Sequence, residues 1–125
     1  MLLDTNAISA WAKGEAALWQ ALRSDRTWYL PSIALGEYRY GLLKSNRRDE
    51  LERWLEQIEA ACTVLAVDDL TARHYAKLRI TFSIDMSVPP YHDLWIGALA
   101  LQHGLDVVSR DAHFDQVPGI RRVPW

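Results

Sequence analysis

The sequence has few of the features that mark secreted, membrane-spanning or zinc-binding proteins. It contains one cysteine, Cys62, which excludes an intrachain disulfide and makes a reducing compartment the expected one. No apolar run reaches the length of a membrane span, and the first residues have neither the basic flank nor the length of a signal peptide. The histidines show no zinc-site spacing. We therefore expect a cytoplasmic protein without structural zinc.

A strong net charge and a glycine-rich loop are also missing. Fourteen basic and 16 acidic residues give a net charge of −2, which argues against a globally basic nucleic-acid binder but leaves local basic patches open. The chain has neither a phosphate-binding glycine loop nor a GxSxG turn. The 125 residues, half of them hydrophobic, are the size and composition of one globular domain covering residues 1–125.

Short apolar runs alternate with longer amphipathic segments along the chain. The runs predict short, buried strands at residues 1–4, 27–30, 63–67, 105–109 and 120–123. Helices are predicted at residues 7–13, 15–23, 32–43, 47–61, 72–82 and 93–103, with a loop at 83–90 and Gly104 ending the last helix. Thr5 or Asn6 is expected to cap the first helix. This alternation predicts an α/β protein, a three-layer α/β/α fold with a mostly parallel, roughly five-stranded sheet.

Four acidic residues occupy positions where strands end or apolar helices run. Asp4 ends the first strand, Glu37 lies in an apolar helix, Asp93 begins a helix, and Asp111 follows the fourth strand. Each has a structural alternative, because aspartates cap helices and form turns and a helical glutamate can face water. In a doubly wound sheet the ends of the first and fourth strands face one crevice, so Asp4 and Asp111 are expected to meet there. The side chains of Asp93 and Glu37 are expected to point into the same crevice from neighbouring helices.

Carboxylates gathered in one crevice favour a bound cation, because like charges at short range repel each other. Their hard oxygens suit Mg²⁺ or Mn²⁺, which also bind phosphate oxygens and can activate water for attack on a phosphodiester. The acids therefore predict a metal-dependent phosphodiesterase. A cation-binding module that recognises protein or RNA without cleaving it remains an alternative, and a phospho-receiver domain, which also clusters acids at strand ends, is a third.

The chain resembles the PIN-domain ribonucleases, specifically the VapC-type toxins of toxin–antitoxin pairs. The matching segments are LLDTNAIS at 2–9, PSIALGEYRYG at 31–41, PPYHDLWIGALALQHGLDVVSRDAHFDQVPGI at 89–120 and the closing VPW. The resemblance implies strand order three-two-one-four-five and endonucleolytic RNA cleavage by a metal-activated water. It also implies a homodimer, a cognate antitoxin that blocks the site, and structured substrates such as transfer RNA.

The family's functional positions can be placed on this chain one by one. Its four acids, which are both catalytic and metal-binding, match Asp4, Glu37, Asp93 and Asp111, and its accessory polar residues match Thr5, Asn6 and Ser109. His113 stands where some relatives have another acid, and Asp115 follows, so the last acid is left open between Asp111 and Asp115. Gly97 replaces a common alanine, and its missing side chain is expected to widen the crevice or to allow a close approach that compensates for the poor helix propensity of glycine.

Overall fold

Five short parallel strands form the centre of the structure. The computed structural model describes residues 1–23, 27–83 and 88–125. The strands are β1 (Leu2–Leu3), β2 (Tyr29–Pro31), β3 (Thr63–Leu65), β4 (Val107–Val108) and β5 (Arg122–Val123). Within the described chain they are ordered β3-β2-β1-β4-β5, and every neighbouring pair is parallel. The predicted α/β fold class and the strand order implied by the resemblance are both confirmed.

Six helices connect the strands in the described residues. They are α1 (Thr5–Ala12), α2 (Ala16–Leu22), α3 (Ser32–Leu42), α4 (Arg48–Ala61), α5 (Asp69–Ser83) and α6 (Tyr91–His103), and a 3₁₀ turn follows at Ala112–Gln116. The predicted loop at 83–90 lies partly outside the described residues. No helix in the described ranges is long and apolar enough to cross a bilayer.

The central strand β1 positions Asp4, the residue that follows it, beside the end of β4. Leu2 and Leu3 are fully buried, and they pair in register with Val107 and Val108 of β4. The backbone N–H of Asp4 then donates to the Val108 carbonyl at 3.1 Å. Since parallel strands end at one edge of the sheet, the residues that follow β1 and β4 are brought side by side.

Helix α6 is the most deeply buried helix of the described chain. Its sequence is apolar on almost every face, and Leu94, Ile96 and Leu99 are fully buried. Tyr75 of α5 stacks on Trp95 with ring centroids 3.9 Å apart, so α5 covers one side of it. The helix ends as predicted at Gly104, whose φ of 63° is the left-handed conformation that favours glycine.

The structure has the close approach expected at Gly97 and not a wider crevice. A β-carbon on Gly97 would lie 3.4 Å from Val117 Cγ1 and 3.6 Å from Leu78 Cδ1. The missing side chain therefore allows close packing between α6, α5 and the segment after the 3₁₀ turn. The prediction that all strands are buried fails at β3, where Val64 is 43% exposed because β3 is an edge strand.

Candidate active site

A cavity of about 370 Å³ opens at the edge of the sheet where β1 and β4 end. All four acids predicted from the sequence line it, namely Asp4, Glu37, Asp93 and Asp111. They come from four separate elements of the chain. The sheet order explains the convergence, because β1 and β4 are neighbours and α3 and α6 pack against each other beside them.

Asp4 is the most restrained of the four acids. It is the N-cap of α1, instead of the expected Thr5 or Asn6. Its Oδ1 accepts a hydrogen bond from the Thr5 backbone N–H at 2.6 Å. Oδ2 accepts hydrogen bonds from Asn6 Nδ2 and from Ser109 Oγ, each at 2.7 Å. The residue is only 4% exposed, and this burial raises the pKa of its carboxyl to about 6 despite the hydrogen bonds.

Asp93 lies in the first turn of α6 and is 2% exposed. It is not the helix cap, since Pro90 holds that position, so the capping alternative is wrong for this residue. Its Oδ2 lies 3.0 Å from His113 Nδ1, and its Oδ1 lies 3.1 Å from His92 Nε2. Burial raises the pKa of Asp93, and the charge of Asp111 acts in the same direction.

Glu37 turns towards the cavity from the middle of α3. Its Oε2 accepts a hydrogen bond from Thr5 Oγ1 at 2.5 Å, and its Oε1 lies 3.6 Å from His92 Nδ1. The alternative in which this carboxylate simply faces water is therefore wrong, although its side chain remains about one-third exposed.

Asp111 and Asp115 have different surroundings. The sequence left open which of the two is the last acid of the site. Asp111 lines the cavity and also caps the 3₁₀ turn, where Oδ1 accepts the His113 backbone N–H at 2.9 Å. Asp115 instead forms an exposed ion pair with Arg122 at 2.7 Å, which holds the pKa of its carboxyl below the usual value. The capping alternative holds for Asp111, but capping uses one carboxylate oxygen and leaves the residue at the cavity wall.

Two buried carboxylates at one cavity need a positive charge nearby. In the described ranges, no lysine or arginine side chain pairs with Asp4 or Asp93. Arg110, at the cavity wall, is paired with Glu15 and lies over the Trp125 ring. The oxygen-rich donor set and the raised pKa of both aspartates fit a divalent ion of the Mg²⁺ or Mn²⁺ type.

His113 is a residue of this site whose role the sequence left open. Asp93, Asp111 and His113 each offer one ligand atom, and these atoms lie within 4.8 Å of one another. A signal for it does exist in the sequence, because His113 follows Asp111 by two residues and a tight turn returns such a side chain to the same edge.

The comparison with known families decides what kind of domain this is. The profile of the PIN domain family matches residues 1–120. This chain belongs to the PIN domain family.

Two proteins similar to this PIN domain are named as VapC ribonucleases. Ribonuclease VapC5 of Mycobacterium tuberculosis is 32% identical over 124 residues, covering 98% of this chain and 90% of the relative. VapC ribonuclease Y4jK of Sinorhizobium fredii is 31% identical over 136 residues, covering 100% of this chain and 97% of the relative. The crystal structure of VapBC-5, a toxin–antitoxin system of M. tuberculosis, is similar with a TM-score of 0.79 and 30% identity, covering 99% of this chain and 97% of that one. The resemblance read from the sequence is confirmed.

Proposed function

We propose that this PIN domain is a VapC-type toxin, a metal-dependent endoribonuclease that cleaves RNA phosphodiester bonds by a metal-activated water. One observation carries the proposal: carboxylates from four elements, Asp4, Glu37, Asp93 and Asp111, line a single cavity, and two of them are almost fully buried. The 32% identity to Ribonuclease VapC5 over nearly the whole chain supports RNA as the substrate.

The same four acids are the proposed catalytic and metal-binding residues. Burial of Asp4 and Asp93 costs free energy as long as their charges are unbalanced, so binding of a cation is favoured at this cavity. When bound, Mg²⁺ or Mn²⁺ lowers the pKa of a water molecule and neutralises charge that develops on the phosphate.

Neighbouring polar residues hold the acids in place before substrate arrives. Asn6 and Ser109 both donate to Asp4 Oδ2, and the Thr5 hydroxyl donates to Glu37. These bonds fix the carboxylate orientations, which limits the reorganisation that catalysis would otherwise require. Lys13, at the wall of the same cavity, is placed to attract an RNA phosphate.

We further propose that residues 1–125 form one PIN-like domain that works as a homodimer and is inhibited by a cognate antitoxin. The similarity to VapBC-5, a toxin–antitoxin system, supports the antitoxin partner. Transfer RNA is the substrate class that the resemblance favours.

The proposal is tested with purified protein, total RNA and Mn²⁺, with cleavage ends mapped by sequencing. The Asp93→Asn variant is expected to lose at least about 100-fold in cleavage rate, since metal-ion catalysis contributes several kcal/mol to the transition state. The matched control is Asp49→Asn, because Asp49 lies on the surface of α4 with a side chain that is 85% exposed. It is expected to retain cleavage.

Two outcomes would contradict the proposal. One is an Asp93→Asn protein, folded by circular dichroism, that cuts RNA at the wild-type rate. The other is a wild-type protein that binds Mn²⁺ but yields no discrete RNA products, which would leave the cation-binding module as the better description.

A further inference from the structure

We propose that the imidazole of His113 is a direct ligand of the divalent ion, so that the centre is a mixed nitrogen and oxygen site. This inference rests on the proposed metal-dependent function and deepens it. It predicts that the site prefers first-row transition ions such as Mn²⁺ over Mg²⁺, because imidazole suits transition ions whereas Mg²⁺ strongly favours oxygen.

The distances around His113 have the size of a coordination shell. Its Nδ1 lies 3.0 Å from Asp93 Oδ2 and 2.9 Å from Asp111 Oδ1. Around an octahedral ion with bonds of about 2.1 Å, neighbouring ligand atoms are about 3 Å apart. One nitrogen therefore stands at ligand spacing from two carboxylate oxygens that come from different elements.

The backbone holds this imidazole next to Asp111. The 3₁₀ turn begins at Asp111, and the His113 N–H donates to Asp111 Oδ1 at 2.9 Å. Phe114, the next residue, is fully buried and anchors the turn to the core. Arg122 also stabilises this turn, because it forms an ion pair with Asp115 and donates a hydrogen bond to the Ser109 carbonyl at 3.2 Å. The imidazole is thus positioned by several contacts that do not depend on its own side chain.

His92 is the natural competitor, since it also lies against Asp93. Its two ring nitrogens face two different carboxylates, with Nε2 at 3.1 Å from Asp93 and Nδ1 at 3.6 Å from Glu37. Neither nitrogen is placed within hydrogen-bond distance of two carboxylate oxygens, as His113 Nδ1 is. This geometry suits an imidazole that bridges carboxylates by hydrogen bonds, so His92 serves as the matched control.

The test is pulsed electron paramagnetic resonance of the full chain loaded with Mn²⁺ alone. A coordinated imidazole gives a nitrogen coupling at the manganese, and labelling the protein histidines with ¹⁵N identifies the protein as its source. The coupling is expected in wild type and in His92→Gln, and it is expected to disappear in His113→Gln.

A second variant keeps the test decisive if His113→Gln fails to hold the ion. His113→Asp supplies an oxygen ligand in place of nitrogen, so it is expected to bind Mn²⁺ without the nitrogen coupling. Its Mn²⁺-to-Mg²⁺ affinity ratio, measured by titration calorimetry, is expected to fall about tenfold, the scale on which changes around a metal site act.

The outcomes separate this inference from the proposed function. Mn²⁺ that binds without nitrogen coupling, or a coupling that is lost in His92→Gln instead, would overturn the role of His113 while leaving the ribonuclease proposal intact. Absence of Mn²⁺ binding would overturn both. Nitrogen coupling in a protein that does not cleave RNA would overturn only the ribonuclease proposal.

Discussion

Asp4 shows at the scale of one residue how burial and charge oppose each other. Its folded-state pKa of about 6 lies above the value of 3.8 expected in the unfolded chain. The folded protein therefore binds more protons than the unfolded chain between about pH 4 and pH 6. In the absence of metal, the contribution of Asp4 to stability is expected to fall by about 3 kcal/mol as the pH rises through this window.

The Asp4→Asn variant should remove the part of the pH dependence that Asp4 contributes, while the part due to Asp93, whose pKa burial also raises, remains. The substitution abolishes the titration but turns an amide group towards Asn6, which costs about 1 kcal/mol for the lost hydrogen bond. We therefore expect the metal-free variant to be more stable than wild type at pH 7.5, by about 1–2 kcal/mol. Urea unfolding in chelator at pH 4.5, 6 and 7.5 measures both effects.

The control for this experiment is Asp49→Asn on the exposed surface of α4, where the side chain is 85% exposed. It is expected to follow the wild-type pH profile. An Asp4→Asn protein that still loses stability between pH 4 and 6 as steeply as wild type would show that burial of this carboxyl is not the cause.

Among the elements, α6 offers two glycines with opposite expected responses. Gly104→Ala forces a β-carbon into a left-handed conformation and should destabilise the fold by about 1 kcal/mol. Gly97→Ala places its β-carbon at ordinary contact distance from Val117 and Leu78, so improved helix propensity should leave stability unchanged or raise it by up to about 1 kcal/mol.

Denaturant unfolding of the two variants checks this pair. RNA cleavage by Gly97→Ala should equal that of wild type, since the added methyl group points towards α5 and away from the acids. A Gly97→Ala protein that unfolds more easily than Gly104→Ala would contradict the packing described for α6.

The same element shows what a local sequence pattern can and cannot predict. The apolar run and Gly104 together were enough to predict α6 and its end, because burial and the left-handed terminal residue are both local properties. The exposure of Val64 could not be predicted in this way, since it depends on β3 being at the edge of the sheet. The cap of α1 was missed for a related reason, because Asp4 serves the helix and the cavity at once.

For the whole molecule, the decisive information lies in the order of the strands. Asp4 and Asp111 are more than a hundred residues apart in the chain, and only the adjacency of β1 and β4 brings them to one edge. The sequence pattern predicted a parallel sheet, but the order came from the family resemblance. The role of His113 was left open by the sequence because it depends on the path of a single 3₁₀ turn.

The most direct test of the central claim is an anomalous diffraction map of crystals grown with Mn²⁺. A manganese peak is expected in the cavity, within about 2.0–2.3 Å of carboxylate oxygens from Asp93 and Asp111. A map with no peak there, or with manganese bound only at surface carboxylates elsewhere, would contradict it.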